Sequence, residues 1–161
     1  SVAVDAQQRR GSVVVAGLVF VQLLVGSQVT GQHASLAYGR DPLRFHGHFF
    51  PTTITTVPEA YHLAHRLLAY TTAAAVLITA ARMWRRHRDR RPWSSDSTAR
   101  TPALLAAVLT VMVLTQIGLG FANIWLLTPP ELVTAHLTVA SWIWAAAVAL
   151  VAISYTPAES R

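Results

Sequence analysis

The chain has 161 residues, of which 53% are hydrophobic and only 12% are charged, a balance typical of membrane proteins rather than soluble domains. The formal net charge of +6 comes from 13 arginines against 7 acidic residues, with no lysine. Because the arginines cluster beside apolar runs, they indicate membrane topology and not nucleic-acid binding. The absence of cysteine excludes disulfides, thiolate metal sites and covalent c-type haem attachment.

Four apolar runs predict four membrane-spanning helices, at about residues 12–30, 60–84, 103–127 and 132–155. Each run is long enough to cross a bilayer, which takes roughly 17–25 residues. Arg9 and Arg10 lead into the first run, which is longer than the apolar core of a cleavable signal peptide. We therefore predict an all-α fold, a polytopic membrane four-helix bundle that forms one domain over residues 1–161.

The three connections differ in length and charge. Thr30 to Pro58 is a long polar segment punctuated by glycine and proline, and Thr128-Pro129-Pro130 predicts a tight turn. Residues 82–100 hold seven arginines, and the positive-inside rule places this loop in the cytoplasm. With four spans, both termini are then cytoplasmic and the other two connections lie outside. We expect a multi-pass protein of a prokaryotic inner membrane.

Two histidines lie at similar depth in two different spans. The second span begins with His62-Leu-Ala-His65-Arg66, and the fourth contains His136 near its start. Ionisable groups at membrane depth are costly and usually functional. Both spans enter from the outer side, so His65 and His136 are placed to bind one haem iron from its two faces. The alternative is that each histidine only forms a hydrogen bond to a neighbouring helix.

A faint internal repeat supports this pairing. Gln22-Leu-Leu-Val-Gly26 parallels Gln116-Ile-Gly-Leu-Gly120, and His65-Arg-Leu-Leu-Ala69 parallels His136-Leu-Thr-Val-Ala140. Two similar helical hairpins, related by a pseudo-two-fold axis, would bring the histidines face to face, and the small residues would let the helices approach closely. The two glutamines are candidates for hydrogen bonds across helices or for contacts with a haem.

Further ionisable groups lie near the outer ends of the spans. Arg66 is a candidate partner for a haem propionate, because a guanidinium pairs well with carboxylates. Arg40 and Arg44 in the outer loop are further candidates, although a solvated charge explains them equally well. His62 shares a helix face with His65, three residues later. Three roles are open for it: contact with the haem edge, binding of a second metal, or a position in the outer interface. The roles of three loop histidines stay open: His33, His46 and His48.

Taken in order, these motifs resemble the haem A synthase family, known as CtaA in bacteria. The resemblance extends from about Val13 to Tyr155. It depends mainly on the segment from Leu127 to His136 and on the His-Arg-Leu-Leu-Ala start of the second span. The segment from Asp41 to Gly47 is similar to part of the family's outer loop, and the third span is similar to its Gln-x-x-x-Gly helix.

The resemblance implies a membrane protein that binds haem b through paired histidines and converts the 8-methyl group of haem O to a formyl group, giving haem A for terminal oxidases. Haem O and haem A would then be substrate and product. Full-length members have eight helices in two halves, so this chain corresponds to one half. The expected partners are the lipid bilayer, haem, and either further copies of the chain or other membrane subunits.

Two positions depart from the family pattern. Catalytic halves carry a glutamate where this chain has His62, so Glu59, about one turn further out, is the remaining candidate for a catalytic carboxylate. The outer-loop cysteine pair of many members is absent. The sequence therefore leaves open an enzyme of haem A formation, a non-catalytic b-type cytochrome or accessory subunit of a respiratory membrane complex, and a haem-free structural subunit.

Overall fold

A computed structural model describes residues 2–89 and 97–155 of the chain. It contains four long helices: α1 (Val2–Gly31), α2 (Val57–Asp89), α3 (Ser97–Trp125) and α4 (Pro130–Tyr155). Within these described ranges there is no β-strand beyond an isolated bridge between Phe45 and His48. The prediction of an all-α fold with four helices is confirmed.

Each helix contains a segment that is long and apolar enough to cross a membrane: Ala6–Gly31, Val57–Arg85, Leu104–Trp125 and Pro130–Tyr155. Only 17–22% of the most apolar window in each segment is buried inside the bundle. Large apolar side chains such as Phe20, Leu114 and Trp142 instead face outward. An apolar outer surface of this kind is suited to lipid. The chain is a multi-pass membrane protein.

The helices extend beyond the apolar runs that predicted them. α1 begins at Val2, and α2 continues to Asp89, so Arg82, Arg85 and Arg88 lie on a helix and not in the loop that the sequence predicts. Apolar content shows where a span lies, whereas backbone hydrogen bonding continues into flanks that water solvates. Residues 90–96 of the predicted loop lie outside the described residues.

The four helices form a square bundle. α1 contacts α2 and α4, and α3 contacts the same two helices, so α2 and α4 lie on one diagonal of the bundle. The segment between α1 and α2 contains a short 3-10 helix, Ala34–Leu36, that packs on both helices. We call this segment, residues 32–56, the outer loop, after the side of the membrane that the sequence predicts for it. His65 and His136 are on α2 and α4, and they therefore approach each other across the bundle rather than along one helix pair.

The bundle interior is divided into an apolar half and a polar half. The apolar half contains the buried core, including Val15, Val76, Leu109, Ile143 and Ala147. It lies toward the N-terminal end of α1, where the arginine-bearing end of α2 also lies. The opposite half, next to the long outer loop, contains half-buried glutamines and histidines with buried polar atoms, and the buried His62 and Asn123. The first half is held together mainly by apolar burial, with a few hydrogen bonds such as Arg9 to Ser154, whereas the second half depends more on hydrogen-bond partners.

Candidate functional site

His65 points into the polar half of the bundle and lies against α1. Gln22 Nε2 is 3.1 Å from His65 Nδ1 and donates to the main-chain oxygen of His65 at 3.2 Å. The edge of the imidazole packs on Gly26, where an added Cβ would lie 3.1 Å from His65 Cε1. Gly26 is thus a close-approach residue, because α1 comes this near to the ring only where it lacks a side chain.

His136 has a corresponding environment in the second hairpin. Its ring packs on Gly120 of α3, where an added Cβ would lie 3.5 Å from His136 Cε1, and it also contacts the main chain of Gln116. The sequence repeat is therefore a structural repeat: a Gln-x-x-x-Gly turn of one helix contacts the histidine of the next. The two halves differ in the glutamine, which meets His65 through its side chain but His136 through its main chain.

The two histidines share one interior region. They lie on the two helices of one diagonal, α2 and α4, and each packs on a glycine of a neighbouring helix. His136 Nδ1 and the Oε1 atoms of Gln22 and Gln116 are buried and have no hydrogen-bond partner in the part of the chain that the structure describes. A buried polar atom without a partner costs about 1–3 kcal/mol. This arrangement of imidazoles and buried acceptors fits a site that is completed by a bound group.

Arg66 connects α2 to the outer loop. It is only 6% exposed. Its guanidinium donates to His62 Nε2 at 3.1 Å and to the main-chain oxygens of Arg44 and Asp41 at 3.0 and 3.1 Å, and it lies over the Phe45 ring. Helix side chains lean toward the N-terminus, so Arg66 reaches back past His62 to the loop. Three of its five N–H donors are used for this attachment, and its contact with a propionate stays a prediction.

Glu59 closes the N-terminus of α2. Thr56 Oγ1 accepts a hydrogen bond from the Glu59 N–H at 3.3 Å, and Glu59 Oε2 accepts one from the Thr56 N–H at 3.1 Å, which together form a capping box. The same oxygen accepts two bonds from Thr55, and Oε1 lies 3.0 Å from His46 Nε2. These bonds give Glu59 a structural role, and its catalytic role stays a prediction.

The side chains of Arg40 and Arg44 are exposed, whereas His65 and His136 are half-buried in the bundle. Arg44 Nε is 3.8 Å from Asp41 Oδ2, and Arg40 lines an open depression with Trp125. Across residues 2–89 and 97–155, no three histidine, aspartate or glutamate side chains group together as metal ligands. The structure therefore places Gln22, His65, Gln116 and His136 in the polar half of the bundle. His62 and Arg66 lie between these residues and the outer loop, and Arg40 and Arg44 lie at the surface.

Tyr38 is a buried residue that sequence reasoning missed. It lies in the outer loop and is only 2% exposed. Its ring packs edge-on against Phe45 at 4.8 Å between centroids, and its centroid is 5.7 Å from that of His62. Burial raises the pKa of the phenol, so it stays protonated. A single tyrosine in a polar loop carries no signal of burial, because its position depends on how the loop folds over α2.

Replacing Gly26 with alanine is expected to displace the His65 ring. The new Cβ would lie 3.1 Å from His65 Cε1, so the ring must move by a few tenths of an ångström. NMR chemical shifts of the His65 imidazole measure this displacement. Gly17→Ala is the matched control, since its Cβ meets nothing within 4 Å. Equal shifts in both variants would contradict the close approach of α1.

Comparisons with known proteins agree with this architecture. The family profile described as "COX15-CtaA: Cytochrome oxidase assembly protein" matches residues 1–148. A protein named Heme A synthase from Nitrosospira multiformis is 32% identical over 135 residues, which is 78% of this chain and 35% of the relative. Proteins of the same name from Paramagnetospirillum magneticum and Brucella ovis are 34% and 28% identical, over 74% and 81% of this chain.

This chain covers only part of these relatives. The matched regions are 35%, 33% and 36% of the three proteins, so the chain spans about a third of their length. No solved structure gives a significant match. Because the family profile covers nearly all of the sequence, the chain belongs to the COX15-CtaA family of cytochrome oxidase assembly proteins.

Proposed function

We propose that this chain binds haem b between α2 and α4, with His65 and His136 as the two axial ligands of the iron. One observation carries the proposal: two interior histidines on diagonal helices, each packed on a glycine of a neighbouring helix. Paired imidazoles from facing helices are a suitable donor set for a six-coordinate haem iron. In this proposal the four spans form one domain.

The surroundings of the histidines support the fit. An imidazole that binds a metal usually donates its other ring N–H to a nearby acceptor, which fixes the ring orientation. The side-chain amide of Gln22 lies 3.1 Å from His65 Nδ1, and the main chain of Gln116 contacts His136, so each ring is oriented by the helix turn against which it packs. The lipid-facing helices exclude bulk water from the site.

We further propose that the chain acts in the conversion of haem O to haem A for terminal oxidases. Its support is membership of the family and similarity to relatives named Heme A synthase. A bound haem iron supplies redox chemistry, while His65 and His136 hold it and the helices keep water away. Because the chain spans about a third of these relatives, we propose that a second copy or other membrane subunits complete the assembly.

The second candidate function is a non-catalytic b-type cytochrome or an accessory subunit of a respiratory membrane complex. The hydrogen bonding of Glu59 favours it, because both carboxylate oxygens are used at the start of α2. His62, where catalytic halves carry glutamate, bonds to Arg66. A haem held by two histidines without a free carboxylate suits electron transfer, since both axial positions of the iron are filled.

Replacing His65 or His136 separately with alanine is expected to abolish six-coordinate haem binding, because one axial ligand is lost. Haem content per chain and the reduced-minus-oxidised absorption spectrum measure the effect. His48→Ala in the exposed outer loop is the matched control and should keep the wild-type spectrum. A wild-type protein without b-type absorption, or alanine variants with full haem content, would refute the ligand assignment.

Glu59→Gln separates the structural role from the catalytic one. Loss of a general acid or base lowers a rate by about 100-fold or more, whereas loss of a capping charge leaves the chemistry nearly unchanged. From the hydrogen bonds of Glu59 we expect haem O conversion within about threefold of wild type. Haem A yield from added haem O is the measurement, with Glu131→Gln as the control. A 100-fold loss in Glu59→Gln alone would make this carboxylate catalytic.

We propose that both termini lie in the cytoplasm of a prokaryotic inner membrane, because Arg82, Arg85 and Arg88 cluster at one end of α2. The cysteine-free chain is a natural background for single-cysteine labelling. A membrane-impermeant maleimide should label Phe50→Cys in right-side-out vesicles, and Arg88→Cys only after lysis. The reverse pattern would invert the orientation and leave the histidine pair intact.

A further inference from the structure

Two buried polar groups lie beneath the outer loop without a partner. His62 is 3% exposed and Tyr38 is 2% exposed, and their ring centroids are 5.7 Å apart. His62 Nδ1 and the Tyr38 hydroxyl are both buried, and neither forms a hydrogen bond with any residue that the structure describes. Burying such groups unpaired is costly. Two of them side by side indicate a ligand that pairs with both.

The proton on His62 can be located from its neighbour. Arg66 Nε lies 3.1 Å from His62 Nε2, and a guanidinium N–H can only donate. His62 Nε2 therefore presents its lone pair, and the neutral ring carries its proton on Nδ1. The positive charge of Arg66 beside the ring disfavours a second proton. His62 Nδ1–H is thus a buried donor, as is the Tyr38 hydroxyl, and both require an acceptor.

The local charge favours a negatively charged acceptor. The buried guanidinium of Arg66 bonds to neutral groups only, namely two main-chain oxygens and His62 Nε2. In the described part of the chain, Arg66 forms no ion pair with a carboxylate. Buried arginines are normally paired with an opposite charge. A carboxylate placed against Tyr38 and His62 would accept both hydrogen bonds and lie in the field of this unpaired cation.

We propose that Tyr38 and His62 form a carboxylate subsite, in which the Tyr38 hydroxyl and His62 Nδ1–H donate to one propionate of the haem. This inference rests on the haem placement proposed above. His65 and His136 would hold the haem between the two diagonal helices. Because the apolar core fills the inner half of the bundle, the carboxylates of the haem would find polar partners only toward the outer end.

The position of His62 agrees with a propionate that faces the outer loop. It lies one turn outward from His65 on α2, which is about 4.5 Å along the helix axis. The outer loop holds Tyr38 over the same turn. In this arrangement Arg66 acts by its charge and by fixing the His62 tautomer, while Arg40 and Arg44 stay at the surface and make no contact with the propionate.

The test compares haem b with its dimethyl ester, in which both carboxylates are masked. The wild-type chain is expected to bind haem b at least about tenfold more tightly than the ester, because charge-assisted hydrogen bonds are lost in the ester. The double variant Tyr38→Phe/His62→Phe should lose most of this preference and keep only the part that the second propionate and the charge of Arg66 contribute. Spectroscopic titration of the purified chain gives both dissociation constants.

Three further variants separate the subsite from general damage. His62→Asn keeps a donor near the Nδ1 position and should preserve the preference for haem b. Tyr70→Phe and His48→Phe alter exposed side chains and should behave as wild type. Unchanged affinity of the double variant for the ester shows that the fold and the axial ligands are intact.

The outcomes distinguish this proposal from the haem proposal. Equal affinity of wild type for haem b and the ester would overturn the subsite and leave haem binding standing, with ordered water as the partner of the two donors. A full preference in the double variant would assign the carboxylate to other residues, such as Arg40 or Arg44, and also overturn it. A wild-type chain that binds neither ligand would refute both proposals.

Discussion

A polar side chain inside a lipid bilayer has no water to bind, and it must find its partners within the protein. This constraint explains how the outer half of the bundle is built. Gln22 bonds to His65, Arg66 bonds to His62 and to the outer loop, and Glu59 bonds to the two residues that precede α2. The buried polar atoms that have no partner among the described residues include those of the two glutamines, His62, His136 and Tyr38. Each proposal about bound groups starts from these atoms.

The inner half of the bundle follows a different rule. Its core of Val15, Val76, Leu109 and neighbouring apolar side chains packs closely and requires no ligand. The division lets one end of the bundle supply stability while the other end carries costly polar groups. Functional sites commonly carry such local costs, which the rest of the fold offsets. The internal repeat places equivalent Gln-x-x-x-Gly turns in both hairpins, so the polar groups come from all four helices.

The sequence predicts the spans and the histidine pair because both follow from local patterns, namely apolar length and a repeated motif. The helices α1 and α2 extend beyond the predicted spans, since hydrogen-bonded backbone continues past the apolar residues into solvated flanks. The capping box Thr56-Val-Pro-Glu59 follows the Thr-x-x-Glu pattern and is readable in the sequence. The burial of Tyr38 is not readable, because it depends on tertiary bonds from Arg66 to loop carbonyls.

Arg66 follows His65 directly in α2, so a single helical turn holds both the inward-facing ring and the attachment of the outer loop. Moving the loop away from α2 would leave the Arg66 guanidinium and two main-chain oxygens without these hydrogen bonds at the membrane boundary. Unpaired polar groups are costly there. The Arg66 side chain also lies over the rings of Tyr38 and Phe45, which are buried beneath the loop. Loss of the Arg66 side chain would therefore release the loop and expose both rings together.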